Sequence, residues 1–302
     1  MNASDFLLFI SGFYAKLGDA LANVVSAIPS GGVLVFLPSY TFLRNCIKSW
    51  RPQRRYRAFG FDDSENVWDR FEASKRTIVV EPTGSQAEFE AAKEVYSQSI
   101  RRDGKALLLA VFRGKMSEGI SFNDDFARAV ICVGIPFPSS FDPSIRAKKA
   151  YNDEMRNLCG NTNLLPGMEW YSQQAYRAIA QALGRCIRHA GDYGTVILMD
   201  SRHCDDGSPV EGVCRSHRNL PKWMRSSVRN LSMHAPRPVL NNANPPIFYG
   251  YRGLADELKM FFIEAKKHSQ IVMEKFQKDF EQAKAKGKCG AKQFNHQRGT
   301  WS

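Results

Sequence analysis

Two arginines one helical turn apart, Arg185 and Arg188, stand within Gln-Ala-Leu-Gly-Arg-Cys-Ile-Arg-His at residues 181–189. A period of 3.6 residues predicts a helix through this stretch, with Gln181, Gly184, Arg185 and Arg188 on one face. Ile179, Ala182, Leu183, Cys186 and Ile187 then form the opposite arc, apolar enough to bury against a sheet. Arginine stays charged and presents a planar fork of donors that matches phosphate oxygens. In phosphoryl transfer such a group stabilises charge spreading over the γ-phosphate. A glycine beside the pair allows close approach, so the offered face suits a polyanion. A solvated basic face is the other reading of the same spacing.

Residues 113–122 read Arg-Gly-Lys-Met-Ser-Glu-Gly-Ile-Ser-Phe, directly after the apolar run 106–111. A polar, glycine-containing loop thus leaves a buried strand, and in open parallel sheets ligands collect at the carboxyl ends of strands. Ser39 and Tyr40 follow another short run, 33–37, closed by Pro38. They are candidate contacts to a nucleic-acid strand, through a phosphate hydrogen bond or base stacking. A plain helix cap with a packed tyrosine fits them equally well.

Positioning these residues takes a series of strands and helices. Residues 6–28 carry Phe6, Phe9, Phe13, Leu17, Leu21, Val24, Val25 and Ile28 at helical spacing. Short apolar runs at 33–37, 77–80, 106–111, 129–135 and 196–199 read as strands, several of them continuous enough to be buried on both faces. Between them, 88–100 and 142–159 fit helices, whereas 50–77 reads as a solvated connection. Alternation of strand and helix implies an α/β fold: a doubly wound, mostly parallel sheet flanked by helices. Trp170, Tyr171 and Tyr176 read as core aromatics before base-stacking platforms. Asp200 and Arg202 are placed to orient the arginine helix by an ion pair. We divide the chain into a domain at 1–232, a Pro- and Asn-rich linker at 233–250, an amphipathic helix at 251–284 and a basic, disordered tail at 285–302. The helix stripe is Leu254, Leu258, Phe261, Ala265, Val272, Phe276 and Phe280, which can dock on the domain or on a protein partner.

The chain has 302 residues, 43% of them hydrophobic, enough for one full core. A formal charge of +12 attracts polyanions, nucleic acid or anionic membrane alike. The apolar run 6–10 is too short to span a membrane and lacks the basic lead of a secretory signal. Seven scattered cysteines without a Cys-x-x-Cys pair read as reduced thiols of an intracellular protein. His203, Cys204, Cys214 and His217 mix ligand types at a spacing that fits no zinc pattern, so no metal site is expected.

The loop Arg-Gly-Lys-x-Ser-Glu-Gly, then Ala-Leu-Gly-Arg-Cys-Ile-Arg-His with Asp192-Tyr193-Gly194 beyond, resembles motifs V and VI of the iron–sulfur superfamily 2 DNA helicases, the XPD-like family. Ile135-Pro136-Phe137-Pro138, Leu165-Pro166-Gly167 and Trp170-Tyr171 resemble its Fanconi anaemia J-type branch, and the telomere-length-regulating branch shares some of these. Residues 32–40 resemble motif IV. The resemblance implies a RecA-like second motor domain with a C-terminal helical extension. It implies that Arg185, Arg188 and Gln181 act on ATP, with Gly184, Glu118, Gly119 and Ser121 on the nucleotide side. Ser39, Tyr40, Arg113, Lys115 and Ser117 would face single-stranded or forked DNA. Ser121 departs from the family, which usually carries an aspartate there for the nucleotide ribose.

The chain has no Gly-x-x-x-x-Gly-Lys-Thr/Ser loop, no Asp-Glu-Ala-His-like box and no four-cysteine set. By resemblance these belong to a first RecA-like domain, which would bring ATP with Mg2+ to the interface and hold the iron–sulfur cluster. The expectation is therefore one half of a nuclear DNA-repair helicase moving five-prime to three-prime, inactive alone. A nucleic-acid or protein-binding module derived from such a motor is the alternative.

Overall fold

The structure is a computed structural model that describes residues 3–51, 66–116, 122–159, 163–189, 191–203, 219–225, 228 and 250–285; within these, 3–11, 159, 201, 250–253 and 283–285 are described as backbone only. The elements run α1 (Ala3–Ala27), β1 (Gly31–Leu37), α2 (Tyr40–Trp50), α3 (Val67–Ala73), β2 (Thr77–Val80), α4 (Gln86–Asp103), β3 (Lys105–Val111), β4 (Ala129–Val133), α5 (Pro143–Cys159), α6 (Gly167–Leu183), β5 (Thr195–Met199), the single turn α7 (Lys222–Arg225) and α8 (Gly250–Ala285). All strands pair in parallel, in the order β2-β3-β1-β4-β5.

Every residue of β1 is buried, as a central strand with helices on both faces requires. Alternate side chains serve opposite layers. Leu34, Phe36, Leu108, Val130 and Cys132 pack with Phe89 and Tyr96 of α4 and Ile179 of α6. Val33, Val35, Leu107, Leu109 and Ile131 pack with α1, α2, α3 and, through Leu258 and Phe262, α8. Arg76 is buried where these parts meet, its guanidinium donating to the carbonyls of Ile28, Gly31 and Ala106. Burial lowers its pKa to about 10.

Several expectations need correction. The connection 50–77 contains α3, capped by Asn66, whose Val67 and Phe71 are buried one turn apart; the Phe71 ring meets Trp50 edge-on at 5.6 Å. The run 129–135 stops being strand at Val133 because Gly134 adopts φ +72°, a left-handed conformation open to glycine. On α8 the buried phenylalanine is Phe262, against the ring of Tyr193, and Phe261 faces outward. The helix expected at 251–284 spans Gly250–Ala285, and the rest of the linker and of the tail, 233–249 and 286–302, falls outside the described residues.

Candidate nucleotide and strand-binding site

The parallel sheet has two edges, and each gathers one set of site residues. At the carboxyl edge, Ser39 caps α2 by accepting from the Phe42 N–H at 3.2 Å, as its sequence position predicts. Beside it stands Glu81, just past β2 and only 2% exposed. Its carboxylate accepts from the Val111 N–H at 2.8 Å, the Met116 N–H at 3.1 Å and the Tyr40 hydroxyl at 2.9 Å. A Cβ on Gly114 would lie 2.4 Å from the same carboxylate, so the loop passes there only as glycine. One buried acid thus fixes the start of the 113–122 loop against the start of α2.

That network fixes where the Tyr40 hydroxyl points. Its hydroxyl turns inward to Glu81 and also accepts from the backbone of Lys115; burial and then the carboxylate raise its pKa to about 12. The hydroxyl proton is thus given to Glu81, while the ring lines the groove between α2 and the segment after β2. Lys115 is exposed. Arg113, at φ +59°, lies along α6 and donates to the Gln174 carbonyl. Burial, and then neighbouring Arg177, lower its pKa. Phe112, Arg113 and Gln181 line one crevice, which joins the loop to α6. Ser117, Glu118, Gly119 and Ser121 lie outside the described residues.

The arginine pair occupies the opposite, amino edge. The predicted helix ends sooner than its periodicity implies: α6 stops at Leu183, with Gly184 as its C-cap. Tight bonds from Arg185 N–H to the Ala182 carbonyl (3.1 Å) and from Cys186 N–H to the Leu183 carbonyl (3.0 Å) replace the helical ones. Arg185 and Arg188 therefore sit on a turn and a return segment. The tighter turn drives Cys186 into the core, where a Cβ on Gly194 would lie 2.4 Å from its sulfur. Ile187, placed on the buried arc by its spacing, is instead exposed.

Asp192 holds this return. Its side chain is fully buried and accepts from the Arg188 N–H at 3.0 Å and from its own neighbour, the Tyr193 N–H, at 2.9 Å. Arg128, immediately before β4, closes the network: 2.6 Å to Asp192, 2.9 Å to Asp125 and 4.0 Å from the Tyr193 ring centroid. Burial by itself would lower the Arg128 pKa, yet hydrogen bonds to Asp192 and Asp125 leave it raised. The Arg188 guanidinium makes one long contact, Nε to the Phe122 carbonyl at 3.4 Å, and no carboxylate among the described residues pairs with it. His189 reaches Asp124, itself at φ +50°, at 2.9 Å. The ligand atoms of Asp124, His189 and Asp192 lie within 4.8 Å of one another, the spacing of a metal-binding set. Both Asp192 oxygens already accept from N–H groups, which makes this group an internal tether.

Asp200 and Arg202 pair with each other at 2.6 Å and do not reach the arginine turn. Tyr176 is buried in the core, as expected, whereas Tyr171 is only half-buried: it stacks on the exposed Phe137 with centroids 5.3 Å apart and carries Lys149 over its ring. His203 is buried edge-on to Tyr176; Cys204, Cys214 and His217 lie outside the described residues. Sequence reasoning missed the supporting roles of Glu81, Arg128 and Asp192. For Glu81 and Arg128 the available signal was a charged residue directly at the end of an apolar strand; Asp192 stands three residues before β5.

A five-stranded, all-parallel sheet between two helical layers, with loops of this kind at its edges, is a RecA-like α/β fold. The chain belongs to the helicase C-terminal domain family, whose model matches residues 21–227. It is 38% identical over 222 residues to a Fanconi anemia group J protein homolog of Gallus gallus, covering 72% of this chain and 16% of that protein. It is 35% identical over 261 residues to a regulator of telomere elongation helicase 1 homolog of Drosophila persimilis, covering 86% and 22%. A Caenorhabditis elegans homolog of the latter matches at 35% over 217 residues, covering 72% and 20%. The chain spans about a fifth of the length of these relatives. Among the described residues, no helix is long and apolar enough to cross a membrane.

Proposed function

We propose that this chain is the second motor domain of an ATP-dependent DNA helicase. The observation that carries the reading is the arginine turn: Arg188 is fixed by its backbone to a buried carboxylate while no carboxylate among the described residues takes its guanidinium. Such a group is preorganised for charge that develops on a bound triphosphate. Arg185, Arg188 and Gln181 would meet ATP across a cleft formed with a first RecA-like domain, with Gly184, Glu118, Gly119 and Ser121 beside the nucleotide. Ser39, the Tyr40 ring, Arg113, Lys115 and Ser117 would grip single-stranded or forked DNA. Closure on ATP and reopening after hydrolysis would alternate the two grips, moving the strand five-prime to three-prime in nuclear genome maintenance.

Mg2+ supplies neutralising charge on the phosphates when bound; this half contributes arginines, since Asp192 is committed to Arg128 and backbone amides. An iron–sulfur cluster does not fit the described cysteines. Cys46, Cys132 and Cys186 are buried, and burial raises all three thiols, Cys46 and Cys186 to about 12, away from the thiolate that ligation needs. The cluster would be held elsewhere in the whole protein.

The test supplies a first motor domain from a relative and measures ATP turnover with and without single-stranded DNA. DNA-stimulated hydrolysis is expected only in the mixture, falling roughly a thousand-fold in Arg188→Ala. Turnover by this chain alone, or an unchanged rate in that variant, overturns the reading. DNA binding that persists with no restored turnover supports the rival, a binding module derived from a motor.

A further inference from the structure

A groove of about 560 Å3 runs between α2 and the segment that follows β2, away from the arginine turn and next to the start of the 113–122 loop. Its floor is apolar, formed by Leu43, Ile47 and Val80, and Pro82 closes one wall. Its rim is cationic. Arg44, Lys48 and Arg51 rise along one side of α2 at steps of four and three residues, so the row extends about 10 Å along the helix axis. None of the three forms an ion pair with a carboxylate among the described residues: Arg44 donates to Thr41 at 3.3 Å, and Arg51 lies 4.5 Å from the Trp68 ring centroid. Glu81 is the acid that lines the groove, and its carboxylate is consumed by the Tyr40 hydroxyl and two backbone amides. Among the described residues the groove therefore presents positive charge with little to oppose it.

We propose that this groove is a second strand-binding segment, in which Arg44, Lys48 and Arg51 take consecutive phosphates of a single-stranded nucleic acid whose bases lie over the apolar floor. The proposal rests on the DNA reading above and extends it. Tyr40 belongs to both places: its ring stands at the groove mouth, and its hydroxyl is tied to the loop carrying Lys115. A strand gripped at Ser39 and Lys115 can thus continue along α2 without leaving protein. An apolar floor beneath a row of cations is the arrangement that accommodates bases and backbone together. An acidic peptide would use the rim but leave the floor unexplained.

Fluorescence anisotropy on the full chain tests this, with a short oligothymidylate of about 6 nucleotides, which fills one segment, and a long one of about 20, which fills both. The variant Arg44→Gln/Lys48→Gln/Arg51→Gln is expected to weaken binding of the long strand about tenfold or more. Its log–log salt slope should become shallower by about 2, at roughly 0.7 for each phosphate no longer neutralised. Binding of the short strand should persist, whereas Lys115→Gln should weaken both. Equal loss of long-strand affinity in a control variant of the same charge change on α8, Lys266→Gln/Lys267→Gln/Lys275→Gln, would show general electrostatics and overturn the proposal. So would an unchanged affinity in the groove variant while Lys115→Gln still weakens binding, an outcome that leaves the DNA reading standing. Polyglutamate that displaces the long strand from the wild type but not from the groove variant would assign the groove to an acidic protein partner. If neither oligonucleotide binds the wild type, the DNA reading itself fails and the groove falls with it.

Discussion

The two edges of the sheet solve one problem in different ways. At each, a buried carboxylate holds the backbone amides of a functional loop. Glu81 does so at the carboxyl edge with neutral donors from Val111, Met116 and Tyr40. Asp192 does so at the amino edge with the Arg188 and Tyr193 amides, and adds Arg128 as a buried counter-ion. A network of neutral donors is local, since its strength rests on geometry within a few ångströms. An ion pair in a low-dielectric interior is stronger and more exposed to loss of either member. The loop proposed to grip a strand is thus held by hydrogen bonds, and the turn proposed to meet a triphosphate is held by charge.

The largest effect is expected where charge is buried. Arg128→Ala leaves Asp192 without its counter-ion and should cost about 3–5 kcal/mol in urea unfolding. A loss below about 1 kcal/mol would make the two edges equivalent and remove the distinction. Glu81→Gln comes next. The amide retains one acceptor but turns N–H groups toward donors, for a cost of about 1–3 kcal/mol. Hydrogen exchange should accelerate at the Val111 and Met116 amides and stay unchanged at Tyr193; acceleration at both edges would show that they are not independent.

Tyr40→Phe removes one hydroxyl and should cost about 1 kcal/mol. Its pH dependence has a definite sign. The folded-state pKa is raised to about 12, so the wild-type advantage is complete below the ordinary phenol value and disappears as pH rises through about 12. A difference between Tyr40→Phe and wild type that grows over that range would contradict the burial of the hydroxyl. The smallest effect belongs to Asp124→Asn, which keeps a side chain tolerant of positive φ and breaks only an exposed pair with His189. Unfolding free energy should shift by less than about 0.5 kcal/mol.

The strands and most helices were legible because continuous apolar runs have few alternatives in a chain of this composition. The run 77–80 is the strand observed, and Ser39 caps α2 as its position after Pro38 implies. The arginine turn was misread for a physical reason: residues 181–188 satisfy helical periodicity, yet the chain leaves the helix after Leu183 through two tight i to i−3 bonds, which keep Cys186 inward and turn Ile187 out. Phe261 and Phe262 illustrate a related limit, since adjacent aromatics leave the rotation of a stripe undecided by about 100°. Glu81, Arg128 and Asp192 were illegible in their roles because their partners are backbone groups and residues up to 64 positions distant. The strand-end positions of Glu81 and Arg128 are visible locally, but the groups they hold are not.

The docking of α8 has a mechanical consequence. Ser269 donates to the Gly191 carbonyl at 2.6 Å, Met273 packs where a side chain on Gly191 would stand, and Phe262 meets the Tyr193 ring. Gly191 and Tyr193 flank Asp192, so this helix is fastened to the hinge pin of the arginine turn. Beyond that fastening, Phe276 and Phe280 present apolar surface along the same helix. The contacts of α8 thus end on the residues either side of the carboxylate that holds the Arg188 backbone.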